Sequence, residues 1–174
     1  EGPTDAWLIM EWCRDGCAEG YVKKHGPFEE RAALALVRQM LEGVDFLHSK
    51  RVVHRDIKPG NLFLLHRAAR LKIGDFNSAR QIGDKSKPVV MLTDRGTQLY
   101  SAPELRFGQQ WNERIDIWAC GLCTFFLIRA RQPFDAGRRK SVMLLQQGTK
   151  PRIDWESTSA EASSLVELCL TVDM

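Results

Sequence analysis

The sequence predicts an α+β fold, mostly helical with one short β-hairpin, and three stretches of the 174 residues predict it. From Glu29 to His48, apolar residues recur at Ala33, Leu36, Val37, Met40, Leu41, Val44 and Leu47, the spacing of one buried helix face. From Trp118 to Ile128 the chain is almost continuously apolar between Asp116 and Arg129, which reads as a buried helix far too short to span a bilayer. Leu62-Phe63-Leu64-Leu65 and Leu71-Lys72-Ile73 are short strands separated by a polar connection, as in a hairpin. The length is enough for one domain with a real core.

Taken in order, Trp7-Leu8-Ile9-Met10 reads as a short strand, and Cys13 to Gly20 as the polar, glycine-punctuated connector after it. Glu29 and Glu30 fall in the first turn of the first long helix, where negative charge suits the helix dipole. The hairpin brings Asn61 and Asp75 to neighbouring ends. Gly74 to Arg95 has few apolar residues and no period, so it reads as a long loop, which in a small domain is usually functional. Further helices are expected at Asn112 to Ala130, near Ser141 to Gln147, and at Ala160 to Leu170, where Ala162, Leu165, Val166 and Cys169 share a face.

A net charge of +3 is too small to imply a nucleic-acid partner, and Arg138-Arg139-Lys140 and Arg129 with Arg131 read as solvated faces. No secretory signal opens the sequence, although it begins with Glu1 and a targeting segment could lie upstream. Five scattered cysteines make no disulfide framework and point to a reducing, intracellular setting, the cytoplasm first with the nucleus open. Cys120 and Cys123 form a C-x-x-C pair, but inside the apolar run they read as core rather than as zinc or redox ligands.

The chemistry concentrates in His54-Arg55-Asp56-Ile57-Lys58-Pro59-Gly60-Asn61, which reads H-R-D-x-K-x-x-N. Asp75-Phe76-Asn77, Ala102-Pro103-Glu104 and Asp116-Ile117-Trp118-Ala119-Cys120-Gly121 follow it in order. In spacing these resemble the catalytic loop, the D-F-G, the A-P-E and the D-x-W-x-x-G of eukaryotic protein kinases. The resemblance runs from Trp7 to the last residue and implies a protein-kinase-like fold.

It further implies ATP and Mg2+ as cosubstrate and metal, and protein Ser/Thr hydroxyls as acceptors. Asp56 would take the acceptor proton, and Lys58 would meet the γ-phosphate, as in the serine/threonine branch. Asn61 and Asp75 would be the metal ligands, hard oxygens of the kind magnesium prefers. The backbones of Glu11 and Cys13 would hold adenine above Phe63, with Met10 at the gatekeeper position. His54 and Phe76 resemble members of the apolar spine, and Asp116 the acid that holds the catalytic-loop backbone. Thr97 resembles the threonine that bonds the catalytic Asp and Lys. Thr93 would be the activating phosphosite, placed there by an upstream kinase and paired by Arg55.

Asn77 stands where the motif has glycine, the residue freest to take positive φ. No glycine-rich loop or strand lysine precedes Trp7, and Glu104 lacks the arginine that pairs it in the family. Residues 1–174 are therefore expected to be a partial catalytic domain, hinge plus most of the large lobe, inactive if expressed alone. The rival reading is a pseudokinase lobe that binds nucleotide or partners without phosphoryl transfer; Asn77 favours it, while Asp56, Lys58, Asn61 and Asp75 oppose it. The hinge and Leu62-Phe63-Leu64 faintly resemble NIMA-type kinases.

Overall fold

In the computed structural model, which describes residues 7–82, 99–106, 111–134, 144, 149 and 152–171, the first helix is one that the sequence pattern does not announce. Helix α1 (Ala18–His25) buries only Ala18 and Val22. Two anchors over two turns show no period, which is why this stretch reads as connector from sequence. The Cys17 side chain caps its start, and Gly26 with φ 83° ends it.

Trp7, Leu8, Ile9 and Met10 form no strand, a correction to the expectation from their apolar run. A strand needs a ladder partner, and none pairs with them among the described residues, so Trp7 is 90% and Ile9 95% exposed.

Helix α2 (Glu30–Ser49) buries Ala33, Leu36, Val37, Met40 and Val44, the face its spacing predicts. Glu29 caps it with both carboxylate oxygens, accepting from the amides of Arg31 at 3.1 Å and Ala32 at 3.2 Å. A two-residue strand, β1 (Val52–Val53), follows, and then the hairpin of β2 (Leu62–Leu65) and β3 (Arg70–Ile73). The hairpin is antiparallel, with Leu62 opposite Ile73 and Leu65 opposite Arg70.

Gln39 of α2 ties the hairpin down. Its amide donates to the Ala69 carbonyl at 3.1 Å and accepts from the Leu71 amide at 3.0 Å. The turn holds three successive left-handed residues, His66, Arg67 and Ala68, and the Asp15 carboxylate accepts the Ala68 amide at 3.0 Å. The stretch expected as a long loop after Gly74 contains one helical turn at Phe76–Ser78 and strand β4 (Arg80–Gln81), antiparallel to β1. Both are too short for a sequence period to show.

Helices α3 (Pro103–Arg106), α4 (Arg114–Arg129) and α5 (Ala160–Cys169) complete the described architecture. The helix expected at 141–147 lies outside the described residues except for Leu144. Helix α4 is apolar on all sides because it is packed on all sides. Cys120, Cys123 and Leu127 join the cluster of α2 and the hairpin, while Trp118, Leu122 and Phe125 join that of Ala102, Val166 and Leu170. The C-x-x-C pair is thus core, and burial pushes both thiols well above their usual range.

Close approach of α4 to α5 requires Gly121, where a β-carbon would meet that of Cys169 at 2.7 Å. Gly121→Ala is expected to destabilise by about 1–2 kcal/mol, since overpacking outweighs the helix propensity gained. A thermal melt checks this, and an unchanged midpoint would contradict it.

Candidate active site

The chain from β1 to β2 runs through a short loop whose backbone is held from beneath by one buried acid. Asp116, in the first turn of α4, is 1% exposed. Its Oδ2 accepts from the His54 amide at 2.8 Å and from Nε2 of His48 at 2.9 Å, and its Oδ1 accepts from the Arg55 amide at 2.8 Å. These bonds fix Arg55 with φ 67°, a left-handed conformation costly for a side-chain-bearing residue. The loop is therefore clamped into one shape before anything binds.

His54 extends the clamp. Its Nδ1 accepts the Asp56 amide at 3.3 Å, so the ring proton sits on Nε2, which donates to the Gly74 carbonyl at 3.1 Å. One imidazole thereby joins the loop to the end of the hairpin. Its ring also packs against Phe76, with centroids 5.0 Å apart at 59°. His54 is fully buried, whereas Phe76 stays 48% exposed.

Above this base the side chains expected to be catalytic converge. Oδ2 of Asp56 accepts from Nζ of Lys58 at 2.7 Å and from the Asn61 side-chain amide at 3.1 Å. The same amide donates to the Asp56 carbonyl at 2.8 Å. With its nitrogen committed twice, Asn61 keeps its side-chain carbonyl oxygen as the atom available to a cation. Asp56 and Lys58 are half-buried, about three-quarters shielded, so their ion pair is less screened than a surface pair.

The hairpin brings the second oxygen donor to the same end. Leu62 lies opposite Ile73, and the Gly74 amide donates to the Asn61 backbone carbonyl at 3.0 Å. Asp75 follows at once, exposed and left-handed with φ 60°, its side chain accepting the Asn77 amide at 3.4 Å. Asn77 lies within the helical turn and is absent from the positive-φ residues. The freedom that glycine supplies is thus not used at position 77 in this conformation; the left-handed residue is Asp75.

Asn61 and Asp75 fit a magnesium ion by donor type, each offering a hard oxygen from one end of the hairpin. No group of three or more His, Cys, Asp or Glu side chains converges as a metal cage among the described residues. An ion shared with nucleotide phosphates needs no such cage.

Of the residues expected to hold adenine, Phe63 lies half-buried under Gly74, where a β-carbon would sit 2.7 Å from its ring. The absence of a side chain at Gly74 is what leaves room for the Phe63 ring. Glu11 is exposed and its carboxylate pairs with Lys72, the residue opposite Phe63 on β3. Cys13 is half-buried, its thiol 4.0 Å from the Glu11 carbonyl. Met10 is 69% exposed.

Arg55 donates from Nε to the Ser78 carbonyl at 2.7 Å, and its guanidinium lies 5.7 Å from the Trp111 ring. Burial and the nearby Arg80 lower its pKa from the usual arginine value. Thr93 and Thr97 lie outside the described residues. Glu104 has a buried carboxylate oxygen with no hydrogen-bond partner among the described residues, and burial raises its carboxyl above the usual range. His48 was not singled out from sequence. The available signal was its place four residues after Val44 on the buried stripe of α2.

A sequence model of the protein kinase domain matches residues 1–174. The chain is 32% identical over 180 residues to the serine/threonine-protein kinase CLA4 of Saccharomyces cerevisiae, covering 98% of this chain and 21% of that protein. It is 33% identical over 177 residues to the serine/threonine-protein kinase GIN4 of the same yeast, covering 99% of this chain and 15% of that protein. To the serine/threonine-protein kinase ATG1a of Arabidopsis thaliana it is 37% identical over 131 residues, covering 74% of this chain and 20% of that protein. The chain thus spans about a fifth or less of the length of each. None of the three carries a NIMA-type name.

Proposed function

Because the chain belongs to the protein kinase domain family, we propose that it carries the catalytic loop of a serine/threonine protein kinase that moves the γ-phosphate of Mg-ATP onto protein hydroxyls. The observation that carries this reading is the convergence of Lys58 and Asn61 on one oxygen of Asp56, above a loop clamped by Asp116. In the reaction, the bond from the γ-phosphorus to the bridging oxygen breaks, and one forms to the acceptor oxygen. Asp56 orients the acceptor hydroxyl and receives its proton, while Lys58 places a positive charge beside the incoming oxygen. Asn61 and Asp75 present the oxygens that hold the metal. Magnesium bound there supplies charge neutralisation on the phosphates.

The reading is tested with the full-length protein, Mg-ATP and matched peptides bearing Ser, Thr or Tyr. Transfer to Ser and Thr but not Tyr is expected, and transfer to none would overturn it. The alternative, a lobe that binds partners without transfer, rested on Asn77. That support weakens where residue 77 has no need of positive φ.

Residues 1–174 are read as hinge plus most of the large lobe of the catalytic domain. An intracellular setting suits the five cysteines, all free thiols.

Thr93, four positions before Thr97, is in this reading the activating phosphosite, its phosphate paired by Arg55 of the catalytic loop. An upstream kinase would supply it. Thr93→Ala is expected to lower peptide phosphorylation by about tenfold or more, since the phosphate would order the substrate-binding segment. Undiminished activity would exclude Thr93 as the site.

A further inference from the structure

A cavity of about 220 Å³ lies against α1, lined by Arg14, Asp15, Gly20, Tyr21, Lys24 and His25. None of the residues assigned to the proton, the metal or adenine is among them. Arg14 and Asp15 come from the turn before the helix, and the other four share one of its faces, Gly20 with Lys24 and Tyr21 with His25 being four residues apart. Glycine is a poor helix former, and at position 20 neither packing nor backbone shape demands it. Its φ is not positive, as it is at Gly16 and Gly26, and a β-carbon there would meet only Sγ of Cys17, at 3.6 Å, an ordinary contact. What the missing side chain leaves is open space in the wall of the cavity.

The lining is rich in donors. The side chains of Arg14, Tyr21, Lys24 and His25 form no hydrogen bond or ion pair among the described residues. The Tyr21 ring is held in place, stacked on Phe28 with centroids 4.8 Å apart and lying 4.5 Å from the His25 ring. Asp15 is the one acid of the lining, and its carboxylate is committed to the Ala68 amide at 3.0 Å. Lys24 and His25, in the last turn of α1, also suit the helix dipole. Arg14 precedes the helix, so the dipole does not account for a cation there. Two cations and an imidazole against one hydrogen-bonded carboxylate favour an anion in this cavity.

We propose that this cavity is a docking site for a phosphoserine or phosphothreonine of the protein substrate, so that a prior phosphorylation recruits the substrate to the catalytic loop. A phosphate takes charge-assisted bonds from a guanidinium and an ammonium at once, and it carries more charge than a carboxylate. The volume is below the roughly 300–1,000 Å³ of sites that enclose small molecules, and it suits a single phosphorylated side chain. The use of the site on a substrate rests on the kinase reading above, while the binding itself does not. Another serine/threonine kinase must then act first, because its product is what docks.

The test measures, by fluorescence anisotropy and without ATP, how the full-length protein binds labelled, otherwise uncharged peptides bearing one serine, phosphoserine or glutamate. Wild type is expected to prefer phosphoserine over serine by about tenfold, less at high salt, with glutamate between them. Arg14→Gln and Lys24→Gln each weaken phosphopeptide binding about two- to fivefold. Gly20→Leu adds bulk to the wall without changing charge and removes most of the preference. All three positions are exposed, so any of them carries the test if another variant folds poorly. A preference that survives all three substitutions, or none in the wild type, overturns the site. Inorganic phosphate that displaces the phosphopeptide at equal concentration overturns docking of a protein segment and leaves a site for the free ion. In a second arm with Mg-ATP, a peptide carrying both an acceptor serine and a phosphoserine, their spacing varied, is expected to show a lower KM at one spacing, with kcat unchanged. An unchanged KM at every spacing overturns the recruiting role. No transfer to any peptide, with the anisotropy result intact, overturns the kinase reading and leaves the phosphate site in place.

Discussion

Asp56→Asn in the full-length protein is expected to lower phosphate transfer by about 10²–10⁴-fold, the usual contribution of a positioned general base. Asparagine keeps the shape of the side chain, and its oxygen can still accept from Lys58 and Asn61, which now meet Oδ2 of Asp56 at 2.7 and 3.1 Å. What it cannot do is take a proton from the incoming hydroxyl. Loss of the negative charge also releases Lys58 from its ion pair. Initial rates at saturating Mg-ATP and peptide measure the effect. Transfer at the wild-type rate would mean that the proton leaves by another route.

Asp116→Ala is expected to cost about 3–5 kcal/mol of stability, the loss typical when one partner of a buried polar cluster is removed. Three N–H groups point at this carboxylate: the amides of His54 and Arg55 and Nε2 of His48. Alanine leaves all three without an acceptor, in a place where Asp116 itself is only 1% exposed and water has little access. Arg55 would also lose what holds its left-handed backbone. Denaturant unfolding checks the energy, and a loss of unfolding free energy smaller than about 1 kcal/mol would contradict the clamp.

Much of this architecture was legible because periodicity reports burial. The stripe on α2 and the β2–β3 pairing follow directly from where apolar residues fall. Helix α1 was hidden because only Ala18 and Val22 are buried, and β1 with β4 because two residues cannot show a period. Trp7 to Met10 carry a strand's composition but pair with no strand among the described residues, so composition alone does not place them.

The site divides in the same way. Asp56, Lys58, Asn61, Asp75 and Asp116 could be named from motif spacing, since each sits in a run of recognisable neighbours. The two roles of the His54 ring, Nδ1 accepting and Nε2 donating, and the His48 bond to Asp116 could not. They depend on contacts between distant parts of the chain that no local pattern encodes. Asn77 is the instructive case: a departure from the motif that matters only if the backbone there needs positive φ, which no sequence states.

The central claim is that one loop and one hairpin end divide the labour, Asp56 handling the proton while Asn61 and Asp75 hold the metal on the nucleotide. Titrating ATP into wild type, Asp56→Asn and Asp75→Ala, with and without magnesium, tests it most directly. The account predicts that Asp56→Asn binds Mg-ATP within about twofold of wild type while failing to transfer phosphate. It predicts that Asp75→Ala loses the part of the affinity that magnesium adds, with metal-free binding little changed. Equal magnesium dependence in wild type and Asp75→Ala, or a loss of Mg-ATP binding in Asp56→Asn, would contradict it.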